Sequence, residues 1–140
     1  MTTAEWRRVM NVNLDGAFFT LRAAARHMCE NNVGGSLVAT ASLAALEGQA
    51  SGPHYAATKG GLISIMRSLA VGLARHGVRA NSILPGWIDT DMTHDWLHRD
   101  TVKKYLLRRV PMGRYSRLWT NRRLFSLGRK RLSYWRYFCN

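Results

Sequence analysis

The stretch that decides the fold is Ser42-Leu-Ala-Ala-Leu-Glu-Gly-Gln-Ala-Ser-Gly-Pro-His-Tyr-Ala-Ala-Thr-Lys59. Its last five residues place a phenol, Tyr55, four positions before an ammonium, Lys59, so on a helix the two side chains lie on one face, one turn apart. A free tyrosine has a pKa of about 10, which makes it a poor proton donor and a worse base at neutral pH. A fixed cation nearby favours the phenolate and lowers such a pKa, as general acid–base chemistry requires.

Two short apolar runs predict buried strands on either side of this helix. One covers residues 36–41 and ends at Ser42, and the other covers residues 78–84 and ends at Pro85-Gly86. A loop of small residues, 43–52, follows the first strand. Ligands of open parallel α/β sheets bind just beyond the C-terminal ends of the strands. The Ser42 hydroxyl and the Pro-Gly segment are therefore placed where a ligand site is expected.

Two long amphipathic helices accompany the strands. The first covers residues 3–28 and begins with Thr2 and Glu5 at the spacing of a capping box. The second covers residues 53–75, with Gly77 where a left-handed C-terminal cap is expected. Helices alternating with short strands predict the α/β class.

Three residues within these helices are poor helix formers. Asn13 prefers caps and turns, and from its spacing alone it is an exposed polar position. Gly60 and Gly61 each cost about 1 kcal/mol relative to alanine. Their missing side chains permit close approach of a neighbouring element.

The order of Ser42, Tyr55 and Lys59 resembles the catalytic signature of the short-chain dehydrogenase/reductase family. The segment Pro85-Gly-Trp-Ile-Asp-Thr90 is similar to that family's Pro-Gly segment after the sixth strand. Asn13 matches the position of the family's fourth catalytic residue, an asparagine that loosens its helix. The resemblance covers about residues 2–115, which we interpret as a partial catalytic domain.

The resemblance implies an α/β, partial Rossmann-like fold, a doubly wound parallel sheet without its N-terminal βαβ units. It implies reversible hydride transfer between NAD or NADP and a small-molecule alcohol or carbonyl. Tyr55 would be the general acid/base, and Lys59 would lower its pKa and hydrogen-bond the nicotinamide ribose. Ser42 would polarise the carbonyl, and Asn13 would hold a relay water.

The resemblance also implies cofactor and partner contacts. Tyr55, Lys59, Pro85, Gly86, Ile88 and Thr90 would bind the cofactor, with the Ile88 backbone and the Thr90 hydroxyl near the nicotinamide carboxamide. Residues 90–109, predicted as one or two short helices, would be a mobile lid. The helices 3–28 and 53–75 would pack against a partner copy or a full-length relative. The sequence does not match the glycine-rich turn that holds the pyrophosphate, so we expect impaired cofactor binding and leave NAD and NADP open.

The chain has 140 residues and a net charge of +13. It shows no membrane-spanning run and no signal-peptide pattern, so we expect a cytoplasmic protein. Cys29 and Cys139 lie 110 residues apart without metal-binding spacing, so we expect free thiols and no metal site.

Residues 116–140 have a different composition, with six Arg, one Lys and no acidic residue. Arginines interleaved with aromatic residues are typical of a nucleic-acid or membrane-surface segment. The abrupt change also fits out-of-frame translation, which we favour. Three functions follow: a truncated and inactive oxidoreductase, a non-catalytic association module, and, last, a nucleic-acid binder that uses this tail.

Overall fold

A computed structural model describes residues 1–91 and 93–117. The chain forms two compact units, Met1–Leu84 and a second that begins at Pro85. The tail predicted at residues 116–140 lies almost wholly outside the described residues, which end at Arg117. In the described part of the chain, no helix is long and apolar enough to cross a membrane.

The first unit contains the predicted helices and strands. Its elements are α1 (Thr3–Met10), a π-helical turn (Asn11–Asp15), α2 (Gly16–Glu30), β1 (Gly35–Thr40), α3 (Ala44–Glu47), α4 (Pro53–Leu73), a 3-10 turn (Ala74–His76) and β2 (Val78–Ile83). The capping box at Thr2 and Glu5 is present. Gly77 has a φ of +68°, the left-handed conformation that glycine adopts without strain.

The two strands pair in parallel, from Gly35 opposite Val78 to Thr40 opposite Ile83. The prediction of a buried strand is half wrong, because burial alternates along β1. Leu37 faces the core, whereas Val38 on the opposite face is 53% exposed. Successive side chains of a strand point to opposite faces, so helices cover one face of this sheet within the unit and leave the other open.

The core lies between that covered face and the helices α2 and α4. It contains buried apolar side chains from all four elements: Leu21, Ala25, Leu37, Ala39, Leu62, Met66, Val78 and Ala80. Met66 of α4 is 1% exposed. Because α4 contacts both strands and α2, its position is fixed from several sides.

Two expectations about local structure need correction. The loop predicted at 43–52 contains the short helix α3, whose N–H groups bond the carbonyls of Ser42 and Leu43. The helix predicted at 3–28 is divided by the π-helical turn and continues to Glu30. In both places backbone hydrogen bonds are made that composition alone does not indicate.

The second unit is built from short elements: β3 (Ile88–Asp89), α5 (His94–Leu97), α6 (Asp100–Leu107) and β4 (Ser116–Arg117). One or two short helices were predicted between residues 90 and 109, and two are present. The strands β3 and β4 pair in parallel and were not predicted. Leu97 and Leu106 are the buried apolar side chains of these helices.

Candidate active site

Tyr55 and Lys59 lie on one face in the first two turns of α4. The Lys59 Nζ atom is 5.6 Å from the centroid of the Tyr55 ring, a cation–π contact. Both residues are half-buried. The four-residue spacing thus brings phenol and ammonium together as expected, with the cation against the ring.

Lys59 also joins α4 to the end of the first strand. Its Nζ donates a hydrogen bond of 2.8 Å to the carbonyl oxygen of Thr40, the last residue of β1. Burial lowers the pKa of the Lys59 ammonium, because desolvation disfavours the charged form. An ammonium has three N–H donors, and the Thr40 bond uses one of them.

Ser42 lies two residues beyond β1, as predicted. Its Oγ accepts a hydrogen bond of 3.2 Å from the Ala44 N–H at the start of α3. This contact leaves the hydroxyl hydrogen able to donate. The preceding residue, Ala41, is buried in one cluster with Ile63, which lies one turn after Lys59 on α4. The end of β1 is therefore packed against the helix that carries Lys59.

Asn13 lies in the middle of the π-helical turn, half-buried. This turn packs against α4. A Cβ added at Gly61 would come within 3.0 Å of Leu14 Cδ1, so the glycine permits the close approach of the turn to the helix. π-helical turns inside α-helices are frequent at functional sites.

Thr58 is a residue of this site that the sequence analysis did not single out. It is completely buried, and its hydroxyl donates a 2.7 Å hydrogen bond to the Tyr55 carbonyl. The bond lies within the helical turn that carries the phenol. The sequence shows a threonine after two alanines between two site residues, but it does not indicate that the hydroxyl is buried.

The four residues predicted to bind the nicotinamide end, Pro85, Gly86, Ile88 and Thr90, belong to the second unit. The Ile88 carbonyl accepts a 2.7 Å hydrogen bond from the Thr93 hydroxyl. That hydroxyl also lies 3.0 Å from the Thr90 hydroxyl and accepts from the Thr90 N–H. Thr93, which the sequence analysis missed, therefore fixes the loop that carries Ile88 and Thr90.

Known proteins match this chain over most of its described length. A family model described as enoyl-(acyl carrier protein) reductase matches residues 1–118. An L-rhamnose-1-dehydrogenase of Scheffersomyces stipitis is 42% identical over 107 residues, which are 76% of this chain and 42% of that protein. The human (3R)-3-hydroxyacyl-CoA dehydrogenase is 37% identical over 113 residues, which are 81% of this chain and 42% of that one.

Solved structures agree with these matches. A gluconate 5-dehydrogenase from Burkholderia cenocepacia, crystallised with NADP and tartrate, superposes with a TM-score of 0.78 at 29% identity. The match covers 84% of this chain and 46% of that chain. The chain thus spans somewhat less than half the length of these three relatives.

Proposed function

Because the chain belongs to the short-chain dehydrogenase/reductase family, we propose that it carries the proton-transfer residues of an NAD(P)-dependent oxidoreductase. The substrate would be a small alcohol or carbonyl compound. The observation that carries the proposal is the pairing of Tyr55 with a Lys59 ammonium held between the phenol ring and the Thr40 carbonyl. A general acid/base needs such a fixed charge beside it.

In the oxidation direction, the Tyr55 oxygen takes the hydroxyl proton of the alcohol. The Ser42 hydroxyl donates a hydrogen bond to the substrate oxygen while the charge of that oxygen changes. The Ser42 Oγ is itself held by the Ala44 N–H. The bound NAD(P) would supply the acceptor for the hydride of the alcohol carbon. In reduction, Tyr55 returns the proton to the oxygen.

Lys59 has donors left for a second role. Its bond to Thr40 uses one N–H and fixes the position of the ammonium. The other two N–H groups suit the hydroxyls of the nicotinamide ribose, so the residues present fit this end of the cofactor. Asn13, in the π-helical turn, would hold a water that extends the proton relay from Lys59.

A chimera tests these roles. Residues 1–117 would replace the matching segment of the Burkholderia gluconate 5-dehydrogenase, and turnover would be followed by NADPH absorbance. We expect Tyr55→Phe to lower kcat by about 10²–10⁴-fold while NADP binding is kept. Ser68→Ala on the same helix, an exposed hydroxyl, is the matched control. A Tyr55→Phe chimera within a few-fold of its parent would refute the assignment.

For the 140-residue chain by itself we propose that hydride transfer does not occur. The two-stranded sheet leaves one face open, with Val38 53% exposed, and parallel sheets are normally covered on both faces. Isothermal titration of the monodisperse chain with NADPH should show no saturable binding. Micromolar binding would overturn this proposal.

Association with a full-length relative or a second copy is the alternative function. Exposed apolar side chains on α2 and α4 favour it: Phe18 is 39%, Phe19 53% and Val71 82% exposed. A shallow groove of about 380 Å³ between these helices is lined by Phe18, Leu69 and Leu73, among others. Exposed apolar surface of this kind is typical of interfaces.

The test is to express the chain together with an intact relative and to measure copurification and activity. Association should lower or alter the relative's activity, and Phe19→Glu should abolish copurification. The control is Thr20→Glu, which introduces the same charge at the next residue of α2, an exposed polar position. Equal copurification by both variants would contradict the assignment of this surface.

A further inference from the structure

Three potential metal ligands meet in the second unit. The Asp89 carboxylate lies 2.9 Å from His94 Nδ1 through one oxygen and 3.2 Å from His98 Nε2 through the other. The three ligand atoms all lie within 4.8 Å of one another. No metal site was expected from the spacing of the two cysteines, and none of these three residues is a cysteine.

The placement of these residues follows from the local fold. His94 begins α5 and His98 follows its last residue, so the two rings are one turn apart, with centroids separated by 4.2 Å. Asp89 is the last residue of β3. Its side chain is 8% exposed, whereas those of His94 and His98 are 54% and 41% exposed. The carboxylate is thus fixed and the two rings can turn.

The separations fit a zinc ion. With Zn–N and Zn–O bonds of about 2.0–2.1 Å in a tetrahedron, neighbouring ligand atoms lie about 3.3 Å apart. The separation of 2.9 Å between Asp89 Oδ1 and His94 Nδ1 is already near this value. His98 Nε2 approaches the other carboxylate oxygen, and the single ligand atoms that the three residues offer all lie within 4.8 Å of one another. Rotation of the exposed imidazole rings closes the longer separations. Two imidazoles with one carboxylate also form a donor set of the kind that zinc takes when a fourth position stays open.

A cavity of about 400 Å³ adjoins the cluster and supplies that open position. Asp89 and His98 line it together with Lys103, Arg114 and Tyr115, among others. The two cationic side chains oppose a bare cation and favour an anionic fourth ligand, such as hydroxide. A zinc ion with a bound anion therefore suits both sides of the cavity.

We propose that Asp89, His94 and His98 bind one Zn²⁺ ion, with the fourth position open to the cavity. On binding, the metal takes the place of the hydrogen bonds between the carboxylate and the two imidazoles, and each neutral imidazole carries its proton on the ring nitrogen that does not face the metal. The ion would tie β3 to α5.

The first experiment is a metal titration of the full chain in a Cys29→Ser, Cys139→Ser background, which removes thiol ligands. Co²⁺, used as the spectroscopic probe, should give visible d–d absorption that saturates at one ion per chain, and Zn²⁺ should displace it. Asp89→Asn, His94→Ala and His98→Ala should each weaken Zn²⁺ affinity at least tenfold, measured by calorimetry. His76→Ala, in the first unit, should leave it unchanged.

A second measurement needs no change in the cluster and so does not depend on variants that fold. Diamagnetic Zn²⁺ should shift the NMR signals of the His94 and His98 rings, which would ligate it, and leave those of His27 and His76 in place. Absence of saturable binding would overturn the proposal. So would affinity that is unchanged in His94→Ala and His98→Ala, or equal shifts of all histidines.

Discussion

Replacing Gly60 and Gly61 separately by alanine should give different stabilities, although the residues are adjacent on α4. Either change raises helix propensity by about 0.5–1 kcal/mol. At Gly60 a Cβ would meet nothing within 4 Å, so the gain is complete. At Gly61 the Cβ would lie 3.0 Å from Leu14 Cδ1 and 3.3 Å from Cδ2. Moving Leu14 off its rotamer costs about 0.5–1.5 kcal/mol, which offsets the gain.

We therefore expect Gly60→Ala to be about 1 kcal/mol more stable than Gly61→Ala. Urea unfolding of the full chain, followed by circular dichroism, measures this difference. The dependence on urea should be the same for both variants, so that the midpoints report stability alone. Because one variant is the control of the other, the propensity gain cancels and the contact with Leu14 remains.

Equal stabilisation by the two changes would refute the reasoning. It would mean that Leu14 does not rest on Gly61, and that the π-helical turn with Asn13 is not held against α4 at this point. A loss of much more than about 2 kcal/mol in Gly61→Ala would also contradict it, since a half-buried leucine has room to move.

Three further changes test the first unit. Lys59→Met should remove a pH dependence: burial lowers the pKa of Lys59, so the fold gains stability as pH rises from that lowered value to the ordinary lysine pKa. Urea midpoints of the unmodified chain should rise in that alkaline window relative to the variant. Thr58→Val should cost about 1 kcal/mol in the same assay, because it deletes one buried hydrogen bond at nearly constant volume. Met66→Ala should cost about 2–5 kcal/mol through the cavity left in the core, and a cost under 1 kcal/mol would contradict its burial.

The features that the sequence predicted correctly depend on near neighbours in the chain. The capping box at Thr2 and the left-handed cap at Gly77 involve residues within a few positions of each other. The one-turn spacing of Tyr55 and Lys59 is a property of any helix. The parallel pairing of β1 and β2 is the exception, because it joins residues far apart in the chain and was implied by the family resemblance.

The features that it missed depend on side-chain contacts and backbone geometry that appear only when the chain is folded. Lys59 bonds a carbonyl 19 positions away, which no local pattern specifies. Asp89 meets two histidines only because β3 and α5 fold back on each other within the second unit. Whether a face of the sheet is covered depends on the elements that pack on it. The sequence of β1, in which small and apolar residues alternate, does not indicate that one face is open. Asn13 was singled out through a family resemblance, while the π-helical turn around it is a backbone feature.

In the function that we propose, placement of the Tyr55 and Lys59 side chains and competence for hydride transfer are separable. The groups are held by contacts within the first unit: the Lys59 bond to Thr40, the contact of Leu14 with Gly61 and the core around Met66. Competence would also need a parallel sheet that is covered on both faces, and the face around Val38 is open. Covering the exposed side chain of Val38 would raise the free energy of unfolding by about 1 kcal/mol, because apolar area would be removed from water. A partner that covers this face would thus stabilise the first unit while leaving the Tyr55–Lys59 geometry as it is.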